Sequence, residues 1–218
     1  MSERPPDRIR VRRLPEKGRY DRATIEAILD RALVAHVAFV AQDGPVCIPL
    51  LHARVGERLL VHGSRASRAL RLLAGGADAC VTVTSVHGLV LARSAFEHST
   101  NYESVVAFGR FEAIEDEAER LSALEAFTEK ILPGRWAELR APTAQELKAT
   151  SVLALPLDAA SAKVGSGGPD DDDSEDAALD VWAGRIPFVT TYGEPVPSPG
   201  LRSGIPVPPS VRRLLGES

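Results

Sequence analysis

The strongest constraint on the fold is a texture that returns along most of the chain: short β-branched and apolar runs cut by tight-turn residues. Val34–Gln42 ends at Asp43-Gly44, a two-residue hairpin signal, and Pro45–Val55 follows as the returning strand. Gly56-Glu57 then turns the chain into Arg58–His62. The texture comes back at Ala79–Val86, Gly88–Ala95, Ser104–Ile114 and Ser151–Leu157. Connections this short join antiparallel neighbours, whereas a parallel pair needs a crossover of a dozen or more residues. The pattern predicts six or seven strands in an antiparallel sheet that curls into a barrel, a mostly β chain of the α+β class.

Helices are peripheral to this plan. Thr24–Leu33 places Ile25, Ile28 and Leu29 on one side. Arg65–Ala74 carries Ala66, Ala69, Leu70 and Leu73 at helical spacing and stops at Gly75-Gly76. Glu117–Leu132 opens with acids, turns Leu121, Leu124 and Ile131 inward and ends at Pro133-Gly134. Thr143 with Glu146 three residues later is a capping box for one more short helix.

The two ends read differently. Residues 1–22 hold eight basic side chains against four acids, a mixed-charge arm that drapes the surface or meets a partner. Residues 23–164 form the barrel domain. The run Asp170–Asp173, with Glu175, Asp176 and Asp180 after it, makes 165–180 an acidic flexible loop by self-repulsion. Residues 181–218 are Pro-rich, and Val181 to Phe188 is apolar enough to dock back on the barrel.

Composition narrows the function classes. With 218 residues, 44% of them hydrophobic, the chain can bury one compact core. The net charge of −4 gives no footprint for nucleic acid or a membrane surface. No apolar stretch is long enough to span a bilayer, and no secretory signal follows Met1. The expectation is a cytoplasmic protein. Cys47 and Cys80 are too few for a disulfide framework and read as buried small hydrophobes.

Candidate chemistry concentrates at His62-Gly63-Ser64-Arg65-Ala66-Ser67-Arg68. A strand ends there, Gly63 permits a tight turn, and Ser64 stands at the expected N-cap of the next helix. Arginines in a first helical turn have the wrong sign for the helix dipole. A bound phosphate would resolve the mismatch, with Arg68 as bidentate donor and Ser64 or Ser67 completing the cradle; ordinary solvent-facing arginines are the alternative. The histidines His36, His52, His62, His87 and His98 form no i, i+4 pair, so no metal pattern is assigned, although alternating strand positions leave haem or metal ligation open. No nucleophile elbow, P-loop or strand-linked dinucleotide fingerprint is present. Trp182 is the aromatic best placed to stack on a planar ligand, or else it plugs an apolar gap.

Five pieces fall in a characteristic order: Pro45–Leu51, His62-Gly63-Ser64 with Ser67-Arg68, Asn101 to Gly109, Ser161-Ala162-Lys163 and Trp182-Ala183-Gly184. Together they resemble the pyridoxamine 5′-phosphate oxidase-like flavoproteins, especially the nitroimidazole-resistance and FMN-binding branch. The resemblance implies a Greek-key split β-barrel and a homodimer with two FMN sites at its interface. It places the strand residues Cys47, Ile48, Pro49, Leu50 and His52 along the flavin ring, mainly through backbone, with His52 the polar side chain nearest the ring. Val61 and His62 would flank the ribityl chain, Ser67 and Arg68 with Ser64 would hold the phosphate, Ser104 would reach the flavin, and Trp182 would close over it.

Two departures qualify this. Glu103 stands where the branch often has Arg, and the tail lacks the Arg-Leu-His signature of the true oxidases, so activity on pyridoxamine phosphate is not expected. The expected function is an FMN-dependent oxidoreductase acting on a small organic substrate, with NAD(P)H as electron source. A non-catalytic flavin-binding protein and a haem-binding member of the same barrel family are the alternatives.

Overall fold

The computed structural model describes residues 6–216, so Arg4 and the rest of the first five residues of the basic arm lie outside it. The order is β1 (Gly18–Arg19), α1 (Arg22–Arg31), β2 (Val34–Ala41), β3 (Gly44–Val55), β4 (Arg58–Ser64), α2 (Arg68–Ala74), β5 (Asp78–Leu91) and β6 (Ser99–Arg110). There follow β7 (Glu112–Ala113), α3 (Glu117–Ile131), α4 (Ala144–Ala149), β8 (Thr150–Pro156), β9 (Ala160–Gly165), β10 (Gly184–Pro187) and α5 (Pro209–Leu214). The strands form one antiparallel sheet in the order β1-β9-β6-β5-β2-β3-β4-β8-β7, with β10 added to β5. This is a split barrel.

Local chemistry sets most of these elements. The β2–β3 turn is closed by Gln42 and Asp43, because Ala41 pairs with Gly44, whose φ of 122° suits only glycine; the turn is one residue earlier than the sequence signal. The β3–β4 turn is Gly56-Glu57, as expected. Asp21, Asp116 and Thr143 cap α1, α3 and α4 through their side-chain oxygens, the last in a complete capping box.

Strand alternation divides the burial. Val37, Leu59, Val61, Val81, Val83, Val105, Leu153 and Leu155 fill the barrel interior with Ile28 and Leu29 of α1. On the outside, α3 lays Ala123 and Phe127 over Ala53, Leu60, Val152 and Ala154. The buried face of α3 is therefore Arg120, Ala123 and Phe127, not the expected Leu121 and Ile131; Ile131 is exposed, while Leu124 packs at the cluster's edge. One aromatic supplies more contact area than an end-of-helix isoleucine, which decides the rotation.

Long-range pairing produced the other departures. Residues 78–91 form one strand interrupted only by a bulge between Val86 and Gly88, where two strands were expected, and residues 92–95 leave the sheet. β6 starts five residues before Ser104, and β9 had no strand signal. Cys47 is exposed and Cys80 half-buried, since both lie on the outer face of the sheet. No described helix is long and apolar enough to cross a membrane.

The acidic run is anchored. Asp171 is 1% exposed and accepts hydrogen bonds from the Arg93 backbone N–H at 2.6 Å and its guanidinium at 2.7 Å. Arg93 also holds Asp172 at 2.9 Å. Asp171→Ala leaves the Arg93 charge and amide without their buried partner. Hydrogen exchange should then rise together in residues 92–98 and 169–174, with a lower Tm; protection unchanged at both segments would contradict the anchor.

Candidate functional site

Gly63 carries β4 past α2 so closely that an added Cβ would lie 2.9 Å from Leu70 Cδ1. That approach brings the strand end and the helix start to one corner. Ser64 remains in β4, paired with Thr150, so the strand ladder keeps it from capping the helix. The turn closes by Ser67 N–H donating to Ser64 O at 2.9 Å, and Ser67 takes the N-cap position, accepting from Leu70 N–H at 3.4 Å. Ser64 Oγ instead accepts from Ala66 N–H at 3.2 Å. The helix consequently starts at Arg68, three residues later than the sequence suggested.

The charge mismatch at this helix start already has an internal answer. Arg68 holds the Asp43 carboxylate with both terminal nitrogens, at 2.6 and 3.2 Å, and the guanidinium keeps the Asp43 pKa low. Both side chains are more than half exposed, so solvent screens the pair and it is weakly held. Arg65, three residues earlier, has one acidic contact among the described residues, 3.7 Å to Glu115. The donors for a phosphate cradle are therefore present and loosely engaged.

His62 completes the corner. It is half-buried, its ring centroid lies 4.3 Å from that of Phe127 at 60°, and burial lowers its pKa, so the imidazole is neutral near pH 7. Neither ring nitrogen has a hydrogen-bond partner among the described residues. A neutral imidazole with a free nitrogen is the form that ligates iron. Phe127 gave no sequence signal beyond its helical period.

The remaining expected residues divide. Cys47 and Pro49 face outward along β3 toward this corner, while Ile48 and Leu50 turn inward against the core. Val61 is wholly buried, so only its backbone can meet a ligand. His52 is fully buried too, which corrects its expected place beside a ring. Its Nε2 lies 3.0 Å from Leu29 O and 3.2 Å from Lys130 Nζ, and Nδ1 has no partner. Ser104, whose Oγ donates to Lys163 O at 3.4 Å, sits on β6, with β5 and β2 between it and β3, about 15 Å across. Trp182 is 66% exposed and precedes β10, which pairs with the end of β5 farthest from β2, roughly 35 Å along that strand from Cys80. One chain does not bring Ser104 or Trp182 to the Arg68 corner.

The buried His52–Lys130 pair has a pH consequence. Burial first, and the Lys130 charge second, lower His52 from 6.5 to about 4; burial lowers Lys130 from 10.5 to about 8. Between pH 6.5 and 4 the unfolded chain binds a proton at this histidine that the folded chain refuses. The His52 contribution is thus full above about 6.5 and lost by about 4, on the order of 3 kcal/mol. His52→Leu should flatten urea stability across that window; an unaltered acid limb would contradict the burial effect.

Residues 21–164 match a family model described as pyridoxamine 5′-phosphate oxidase. The chain is similar to the FAD and haem binding protein from Mycobacterium smegmatis, with 45% identity and a TM-score of 0.86, over 91% of this chain and 97% of that one. It is similar also to the flavocytochrome Anf3 from Azotobacter vinelandii, at 39% identity and a TM-score of 0.90, over 97% and 98%. A protein assigned to 5-nitroimidazole antibiotic resistance from Bacteroides thetaiotaomicron shares the fold at 22% identity and a TM-score of 0.58, over 67% and 86%. No match is found among curated proteins.

Proposed function

The chain belongs to the pyridoxamine 5′-phosphate oxidase family, and from that premise we propose that it is a redox protein holding both a flavin and a haem. The observation that carries this reading is the gathering of loosely engaged phosphate donors and an unbonded neutral imidazole at one corner. Ser64, Ser67 and Arg68 hold the flavin phosphate, with Arg65 adding charge. Cys47 and Pro49 line the open face of β3, and His62 offers iron its free nitrogen.

The phosphate next to the ribityl chain is common to FMN and FAD. Because the 45% identical relative binds FAD, FAD is our reading in place of FMN. When bound, the flavin supplies two-electron and the haem one-electron redox chemistry. The protein's part is orientation and the exclusion of water, with NAD(P)H as electron source and a small organic molecule or dioxygen as acceptor.

A homodimer completes the site. Val34, Val40, Pro45, Cys47 and Pro49 leave an apolar stripe exposed on the outer face of β2 and β3. A second copy on that face would bring its own Ser104 and Trp182 toward the corner, which a single chain leaves without them.

The test is the visible spectrum of the purified protein, mass analysis of released flavin and the mass in solution by light scattering. The expected result is a Soret band together with flavin absorbance, released FAD, and a dimer. A colourless preparation that takes up neither haem nor flavin would overturn the reading.

A further inference from the structure

We propose that the proline-rich tail builds a binding site for an uncharged, rigid aromatic molecule that carries one carbonyl oxygen. Residues 195–211 fold back on the single turn Trp136–Glu138 that follows α3, and a cleft of about 630 Å³ lies between the two. No residue placed at the flavin and haem corner lines this cleft, and neither does Ser104, Trp182 or any residue of β5, β6, β9 or β10.

The tail is held at both ends. At one end β10 pairs with β5. At the other, the buried Ser210 of α5 donates to the Glu138 carboxylate from its backbone N–H at 2.9 Å and its hydroxyl at 2.6 Å. Between Val189 and Val207 the one backbone hydrogen bond among the described residues runs from Leu201 N–H to Ser198 O, at 2.9 Å. The shape of this stretch therefore comes from its prolines. Pro195, Pro197, Pro206 and Pro208 line the cleft, and their rings fix φ, so the walls resist collapsing on one another. Proline also brings no N–H donor. Leu201, Ile205 and Val207 add hydrocarbon that stays partly open to water, which a ligand between the walls would cover.

The floor selects the ligand. Arg135 and Glu138 are the only charged residues that line the cleft. The hydrogen bonds from Ser210 first, and the Arg135 guanidinium at 3.0 Å after them, lower the Glu138 pKa and keep the carboxylate ionised. The two charges cancel, so a charged ligand would sit unanswered among apolar walls. The other guanidinium N–H groups of Arg135 have no partner among the described residues and suit an acceptor oxygen. A flexible chain would lose rotamer freedom between walls that do not adapt, whereas a fused aromatic ring has none to lose.

The probe is 2-acetylnaphthalene, titrated into the full-length protein as purified, by calorimetry and by NMR at the Ile205 and Val207 methyl resonances. The counterparts are 2-ethylnaphthalene, which lacks the acceptor, and 2-naphthoate, which adds a negative charge. The ketone is expected to bind and to shift both resonances, with each counterpart about tenfold weaker. Val207→Asp puts a charge on the wall at a position 40% exposed, so it should abolish binding and leave Tm, flavin and haem content unchanged. No ketone binding, binding that leaves both methyl resonances in place, equal or tighter binding of either counterpart, or full affinity in Val207→Asp would each overturn the proposal.

Discussion

His62→Ala is expected to abolish the Soret band of the isolated protein while flavin remains. Iron needs an unprotonated imidazole nitrogen, and the five histidines differ in what they can offer. His52 is sealed in the core and shared with Lys130 and Leu29 O. His98 Nδ1 lies 2.8 Å from Ser94 O, and His87 leans on Glu103. His36 is exposed on the outer face of β2 and has no aromatic ring against it among the described residues. His62 alone combines partial burial, an aromatic neighbour and free nitrogens among the described residues. A full Soret band in His62→Ala, with loss in His36→Ala or His98→Ala, would reassign the ligand. Circular dichroism separates ligand loss from misfolding, because Phe127 keeps its other contacts under α3.

Arg68→Ala should raise the dissociation constant for flavin by about tenfold or more, through loss of a charge-assisted bidentate contact to phosphate. The opposite change is equally informative. Asp43→Asn removes the carboxylate that occupies Arg68 and should tighten flavin binding, because the neutral amide competes less with phosphate. The two variants must differ in sign if the phosphate sits where Asp43 does. Both effects should shrink with added salt, since the side chains are exposed. Equal weakening by both variants would mean that Arg68 and Asp43 only stiffen the β2–β3 turn.

The resemblance to a flavoprotein barrel was visible because its signals are local: hairpin residues, strand alternation and a strand–turn–helix stretch rich in Ser and Arg. The parts of the site that were misplaced share a different property. His52 and Val61 fall on the right strands but on the inward face, and one residue's shift in alternation decides which face a side chain takes. Ser104 and Trp182 are in the expected order along the chain, yet order does not say how far from Arg68 the sheet sets them. Ser67, not Ser64, caps α2 because the β4–β8 ladder runs to Ser64, and that pairing joins segments far apart in sequence.

By itself, then, the chain's residue order determined the antiparallel architecture, the β2–β3 hairpin to within one residue, the hairpin Val55–Arg58, the helices α1 and α3 and the capping box of α4, since each depends on groups within a few residues of one another. Only the tertiary structure decided which charge answers which: Arg68 with Asp43, Arg93 with Asp171, Arg31 with Glu103, Lys130 beside His52. Coulombic and hydrogen-bond energies depend on distance and burial in space, and neither quantity is written in spacing along the chain.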